Sequence, residues 1–336
     1  MYISNECRKK YRKIINVVRP FYNLIYKITH KNEYEKKCSF GNKNEEKTFY
    51  VIRSNNSTAG MFSIINTVLE HIAYARDKGY IPVVDMKNYP NSYLEQDKIG
   101  AENSWEYFFH QPRINDVEYS LDEVYSSKKV ILSSLKPIVK NYHFDSSICD
   151  NLESSLFKQY RKLFFENVIL KTELKERFED YRKELFGEEK VLGVLCRGTD
   201  YVTMKPYAHP IQPTIAEVIK KTKTFLDEFK YNKIYLATED ADIVKEFQTE
   251  FKDKLLIYSR DYFKKLDISS REYITEIINQ SVSPKNAGVE YLGQIYLLTK
   301  CESLILAKTS ATPAVLFSGG YKQVFVWNLG LYGIDD

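Results

Sequence analysis

Short apolar runs alternate along this chain with longer stretches whose apolar positions fall three and four apart. Thr48-Phe-Tyr-Val-Ile-Arg53 is such a run, followed by a loop of small polar residues, Ser54-Asn-Asn-Ser-Thr-Ala-Gly60. Met61, Ile64, Ile65, Val68, Leu69 and Ile72 then recur at helical spacing, and Lys78-Gly79 supplies a glycine stop. Tyr80-Ile-Pro-Val-Val-Asp85 reads as the next strand, which completes one βαβ unit. Residues 86–115 are rich in Asn, Tyr and Pro and read as loop and short helix around Trp105; Lys129-Val-Ile-Leu-Ser133 reads as a further strand. Helical patterns fill 148–186 and connect this half to the next, with a boundary near Phe186-Gly187-Glu188.

The second half alternates more regularly. Strands are predicted at 190–196, 233–238, 255–259, 303–307 and 323–327. Helices are predicted from Pro213 to Phe229, from Asp240 to Phe251, from about Asn286 to Lys300 and over 311–317. Contiguous apolar strands separated by helices imply a doubly wound parallel sheet, because such strands are buried on both faces. The expected fold class is therefore α/β, with two halves (48–187 and 188–336) and a cleft between them.

Residues 1–47 form a separate N-terminal arm. Arg8, Lys9, Lys10, Arg12 and Lys13 precede Ile14, Ile15, Val17, Val18, Phe21, Tyr22, Leu24 and Ile25, the pattern of a basic amphipathic segment. Pro20 divides it into two short helices. Its apolar side can lie against a membrane surface or pack on the protein itself; both readings stand at this point.

The chain of 336 residues carries 49 basic and 45 acidic side chains, a net charge of +4, and no basic face that suits nucleic acid. No apolar run approaches the ~20 residues of a membrane span, and no signal peptide is visible. Cys7, Cys38, Cys149, Cys196 and Cys301 are odd in number and lack paired metal-ligand spacing, as expected for free thiols in a reducing compartment. A cytoplasmic location follows, with peripheral contact at the inner membrane face if the arm binds lipid.

Chemistry concentrates where the predicted strands of the second half end, since ligands of open α/β sheets bind at the carboxyl edge. Val191-Leu-Gly-Val-Leu-Cys196 runs straight into Arg197, Gly198, Thr199 and Asp200. The next strand ends in Thr238, Glu239 and Asp240, the third in Ser259 and Arg260, the fourth in Lys308, Thr309 and Ser310 before a helix. Cations, hydroxyls and a helix start suit a diphosphate, and a carboxylate suits the N–H groups of a nucleobase or the hydroxyls of a ribose. Asp240, Thr309 and Ser310 also fit N-caps of the helices they precede. Asp240-Ala-Asp242 matches the Asp-x-Asp of metal-dependent sugar-nucleotide enzymes, but acids in a first helical turn equally suit the helix dipole.

These residues carry a family resemblance. Leu195-Cys-Arg-Gly-Thr-Asp200 with His209-Pro-Ile211, Tyr235-Leu-Ala-Thr-Glu-Asp240, and Tyr296-Leu-Leu-Thr-Lys-Cys-Glu302 with Lys308-Thr-Ser310 resemble the motifs of α1,6-fucosyltransferases of the core N-glycan and nodulation-factor type. The resemblance covers about 190–318 and thins in the first half to the Ala59-Gly60 loop, its helix and strand, and the Trp105 region. It implies a GT-B-like fold: two Rossmann-like domains facing a cleft, with the parallel sheet of the C-terminal domain holding the donor. It also implies an inverting, metal-independent transferase that needs no cofactor beyond its donor, GDP-fucose, and that acts on a glycan acceptor of envelope or lipid-linked type.

By the same resemblance, Arg197 holds the donor phosphate and stabilises the leaving diphosphate. Glu239 or Asp240 reads the guanine, and Thr309 and Ser310 contact the phosphates. Thr199, Thr238, Ser259 and Lys308 complete the donor side, while Gly60 and Lys205 face the acceptor. The chain departs from the family at Leu195, Gly198 and Lys205, which stand where the family has a histidine, a second arginine and a glutamate. A lysine ammonium does not accept a proton at its ordinary pKa, so Asp200, His209 or an acid of the first domain is left as the base. Two alternatives remain: a different nucleotide sugar, and a non-catalytic sugar- or nucleotide-binding protein on a degenerate transferase fold.

Overall fold

The computed structural model describes residues 33–135, 142, 144–264 and 282–334. The basic amphipathic run at 8–25 lies outside the described residues.

The first sheet has four strands in the order β1-β6-β2-β3: β1 (Lys36–Cys38), β2 (Phe49–Arg53), β3 (Ile81–Asp85) and β6 (Val130–Leu132). β2 runs parallel to both β3 and β6, and β1 closes the edge antiparallel to β6. The stretch read as arm thus contributes Lys36–Cys38 to this sheet. β2 is buried along its whole length, as its unbroken apolar run requires. Helix α1 (Met61–Asp77) crosses from β2 to β3, and Gly79 at φ +68° turns the chain after it. A small antiparallel hairpin, β4 (Arg113–Ile114) and β5 (Val117–Glu118), and the short helix α2 (Leu121–Val124) lie between β3 and β6.

Two helices, α3 (Ser155–Asn167) and α4 (Thr172–Phe186), lead to the second sheet. It is parallel throughout, in the order β11-β10-β7-β8-β9. Its strands are β7 (Val191–Leu195), β8 (Lys233–Ala237), β9 (Leu255–Ile257), β10 (Ser303–Leu306) and β11 (Val324–Val326). The helices are α5 (Thr199–Met204), α6 (Ile215–Phe229), α7 (Ala241–Phe251), α8 (Pro284–Leu298) and α9 (Thr312–Phe317). Their starts follow local rules. Thr214 and Glu217 form a capping box for α6, Asp240 caps α7 through the Asp242 and Ile243 amides, and Ser283 caps α8 with Pro284 at its first position.

One continuous apolar core joins the two halves. Ile65, Leu69, Phe108, Phe157, Phe178, Tyr235, Leu292 and Phe317 all belong to it. Phe317 of α9 stacks against Phe144, Phe157 and Phe164, and Arg161 of α3 donates to its carbonyl at 2.6 Å. Phe186 and Tyr181 of α4 lie on Tyr235 and Tyr258 of the second sheet. Halves joined through a large apolar interface do not swing apart freely.

His71 is buried in α1 and shares a 3.0 Å hydrogen bond with the Tyr50 hydroxyl. Burial, with the Arg53 charge nearby, lowers its pKa to about 4 from an ordinary value of 6.5. A histidine whose folded pKa is depressed must gain a proton to unfold in acid, so its stability contribution is intact above pH ~6.5 and is lost as pH falls toward 4. The expected loss is about 3 kcal/mol across that window. Denaturant unfolding of the wild type at pH 7 and pH 4.5 should show it, and His71→Gln should flatten the slope; a slope unchanged by the substitution assigns the acid sensitivity to other groups.

Candidate active site

β7 lies at the middle of the second sheet. The chain leaves it toward β8 and β9 on one side and returns to β10 and β11 on the other. The crevice between the carboxyl ends of β7 and β10 is therefore the topological switch point, where an open α/β sheet binds its ligand. The residues after β7 turn sharply there. Thr199 takes φ +47°, an outlier for a β-branched residue that costs about 1–3 kcal/mol and persists only where neighbours impose it.

Those neighbours are the two carboxylates at the end of β8. Glu239 Oε1 accepts from the Gly198 amide at 3.0 Å and from the Thr199 hydroxyl at 2.8 Å. Asp240 Oδ2 accepts from the Thr199 amide at 2.9 Å, while its Oδ1 caps α7. Both side chains are buried. Arg197 reaches back over this turn: Nη1 stands 3.5 Å from Glu239 Oε2, and the guanidinium lies 4.8 Å from the centre of the Tyr201 ring. Its side chain keeps 17% of its surface exposed against 9% for Glu239, which aims the cation outward while its counter-ion faces in.

Gly198 has a specific cause here. A Cβ at this position would sit 2.7 Å from both Cβ and Cγ of Asp240. The arginine that the resembling family carries at this point has no room, so the turn is committed to a single strand-end arginine.

From Thr199 the chain forms the six-residue helix α5, which stops at Lys205 in the left-handed conformation (φ +44°). Lys205 is exposed. His209 returns toward the site: its Nδ1 lies 3.1 Å from the Tyr201 hydroxyl, and the two rings meet edge to face at 5.4 Å. Backbone bonds between 208–211 and 330–332 hold this stretch, with Tyr332 N–H donating to the His209 carbonyl at 2.9 Å. Tyr201 therefore bridges Arg197 and His209.

On the β10 side, Thr309 accepts the Ala311 amide on its hydroxyl and donates its own amide to Thr312 Oγ1, so its polar groups shape the turn before α9. The Ser310 carbonyl accepts from the Asn66 side-chain Nδ2 of α1 at 3.3 Å. This bond ties the second turn of α1 to the turn between β10 and α9. Lys308 is turned elsewhere, donating to Asp150 at 2.6 Å and Asn328 at 3.1 Å. Thr238 is buried, its hydroxyl accepting the Asp240 amide and its carbonyl accepting the Gln294 side chain at 2.8 Å. Ser259 is exposed, with its amide donating to Tyr181. Cys196 is fully packed, and burial pushes its thiol pKa up, so it is not an activated nucleophile.

The structure therefore gathers Arg197, Thr199, Glu239 and Asp240 in one corner, with Thr238 behind it and His209 one ring away. Lys308, Ser259 and Lys205 stand apart from that corner in their contacts. Among the described residues, no group of three His, Cys, Asp or Glu side chains converges to hold a metal.

Sequence reasoning missed the wall that faces this corner. Tyr93, from the loop after β3, and Tyr291 of α8 both lie within the electrostatic reach of Arg197 and Arg260. Gly288 lets α8 approach that loop, since a Cβ there would sit 2.7 Å from Phe108 and 3.0 Å from Tyr93. Burial pushes the Tyr291 hydroxyl up to about 12. Glu290 and Gln294, four apart and the only charged or amide side chains of the helix beyond its first turn, were the available signal.

Two α/β halves, the second built on a five-stranded parallel sheet, give a protein of the GT-B fucosyltransferase fold. Among solved structures, the fucosyltransferase NodZ from Bradyrhizobium is similar to this chain with a TM-score of 0.51 and 15% identity, over 80% of this chain and 92% of that one. NodZ α-1,6-fucosyltransferase co-crystallized with GDP gives 0.49 and 15%, over 80% and 91% of the two chains. POFUT1 in complex with GDP-fucose gives 0.44 and 8%, over 87% and 100%. No family model and no curated protein matches the chain. At these identities the likeness is one of fold.

Proposed function

We propose that this protein is an inverting, metal-independent glycosyltransferase that moves fucose from GDP-fucose to a hydroxyl of a glycan acceptor. The observation that carries the reading is Arg197, a largely shielded guanidinium paired with Glu239 over a strained turn at the topological switch point, the turn itself held by two buried carboxylates. Such a turn has no packing purpose that a less strained backbone would not serve, and strain of this kind concentrates at functional sites. The motif resemblance over 190–318 supports GDP-fucose as the donor, and the activity in the name of the NodZ fold neighbour supports fucose as its sugar.

In this reading the acceptor oxygen bonds to the sugar's anomeric carbon as the bond from that carbon to the diphosphate oxygen breaks. The electron pair leaves with the diphosphate, and Arg197 stabilises the charge that gathers there. The acceptor's proton goes to a base on the opposite side. His209, whose imidazole can accept a proton and is hydrogen-bonded to Tyr201, is the candidate. Lipid-linked or envelope glycans are the proposed acceptors, with the basic segment at 8–25 resting on anionic lipid.

Calorimetric titration with GDP and UDP tests the donor, and release of GDP in the presence of GDP-fucose and glycan tests the reaction. GDP binding at micromolar concentration, ~8 kcal/mol of binding free energy, with no UDP binding is expected. UDP bound in preference to GDP overturns the donor assignment, and donor binding with no turnover on any acceptor or water leaves only a binding protein.

A further inference from the structure

His209 is exposed, and so are its neighbours Tyr207 and Ala208. Side chains that stay in water do little to fix a backbone, so the hold on this stretch comes from its main-chain hydrogen bonds. The backbone there is strained. Ala208 takes φ +62°, three residues after Lys205 at φ +44°, and a residue with a side chain keeps that conformation only where neighbours impose it. One bond is local, the His209 amide donating to the Pro206 carbonyl at 3.1 Å. The others come from more than a hundred residues along the chain.

Residues 328–334 follow the carboxyl end of β11 and run antiparallel to this stretch, with Leu331 opposite Pro210. Tyr332 makes three bonds around His209. Its amide donates to the His209 carbonyl at 2.9 Å, its carbonyl accepts the Ala208 amide at 2.9 Å, and its hydroxyl accepts the Gln212 amide at 3.3 Å. The Ile211 amide adds a fourth to the Gly330 carbonyl at 3.0 Å. Buried Lys308 ties down the start of the segment through Asn328, and the Gln212 side chain closes the circuit by donating to the Lys308 carbonyl at 3.0 Å. Gly330 at φ +84° and Gly333 at φ +72° let the segment follow this course. Core filling does not explain it, since Leu329, Leu331 and Ile334 stay 37–42% exposed.

We propose that residues 328–334 are a positioning strap of the active site, with Tyr332 as its central contact, fixing the His209 backbone so that the imidazole stays on Tyr201 and beside the Arg197 corner. The assignment rests on the reading of His209 as the base and adds what holds that base in place. Tyr332 and the two glycines touch no reacting atom and act through His209. A reacting group displaced by about 1 Å loses roughly a hundredfold in rate. The donor is bound on the other side of the corner, so the strap acts on kcat and leaves GDP affinity alone.

Full-length wild type, Gly330→Val, Gly333→Val, His209→Gln and the two double variants are compared, with thermal melts and GDP titrations. GDP release from GDP-fucose is followed with water and with envelope-type oligosaccharides as acceptors. A Cβ at Gly330 meets nothing closer than Ile211 Cδ1 at 4.0 Å, so valine there disturbs the strap through its backbone alone. At Gly333 a Cβ also sits 3.0 Å from the Tyr207 ring. Each strap variant should melt with the wild type and lower kcat about ten- to hundredfold, with donor KM and GDP affinity within about twofold. In the His209→Gln background the same changes should cost less than about twofold more, because substitutions that act through one group are not additive. Strap variants that keep wild-type kcat, or that lower it as much without His209 as with it, overturn the proposal alone. So does GDP affinity that falls in step with kcat, which would place the strap in the donor site, and so does a collapse of stability in both variants, which would make it part of the folding core. His209→Gln with wild-type kcat removes the base assignment and the strap with it; wild type without turnover removes the transferase reading beneath both.

Discussion

Arg197→Ala is expected to lower kcat of donor-dependent transfer by about 10²–10³, the usual effect of removing one preorganised group that stabilises developing charge. In the proposed mechanism the arginine meets the diphosphate where the leaving-group charge appears, so its contribution grows along the reaction and falls on kcat more than on KM. The turn should survive, because Glu239 keeps its bonds to the Gly198 amide and the Thr199 hydroxyl without it. Arg197→Lys keeps a charge but not a planar fork, and about tenfold of the loss should remain. Steady-state kinetics with thermal melts decide the matter. A folded Arg197→Ala variant that retains wild-type kcat would falsify the mechanism.

Restoring the arginine that the resembling family carries should inactivate the protein rather than improve it. Gly198→Arg places a Cβ 2.7 Å from two carbons of Asp240, which is buried, caps α7 and holds the Thr199 amide. Gly198 cannot retreat, since its own amide is bonded to Glu239. Overpacking together with a broken buried hydrogen bond costs about 2–5 kcal/mol, a melting temperature lower by about 5–15 °C. Gly198→Ala should show most of the same loss, which separates crowding from charge. Unchanged melting with tighter donor binding in Gly198→Arg would show that the turn can open, and that its single arginine is not a steric necessity.

The regular part of the second half was legible because each signal was local. β7 and β8 are unbroken apolar runs that only a doubly covered sheet buries. Thr214 with Glu217, Asp240, and Ser283 with Pro284 announce helix starts within four residues. β1 was not legible: Lys36-Lys-Cys38 is a polar edge strand that gains its identity by pairing with β6, some ninety residues on. Nor was α5, whose first residue sits at a left-handed φ because Glu239 and Asp240 hold it there.

The site divides along the same line. That Arg197, Thr199, Glu239 and Asp240 would share one edge follows from strand order in any parallel sheet of this kind, and so from the sequence alone. Their division of labour does not. Lys308 reads as a phosphate ligand until Asp150 is found 2.6 Å from its ammonium. Glu239 and Asp240 read as base-binding acids until their oxygens are found on the turn. Arg260 reads as a strand-end cation until Glu290 of α8 is found 4.0 Å from its Nε. The alternation of apolar and polar positions by itself determined the layers and the edge on which ligand chemistry collects, because burial acts on each element through its own periodicity. Only the tertiary structure decided which charges are spent on one another and which remain for a ligand, because a buried charge takes whatever partner the packing brings within reach, however distant in the chain.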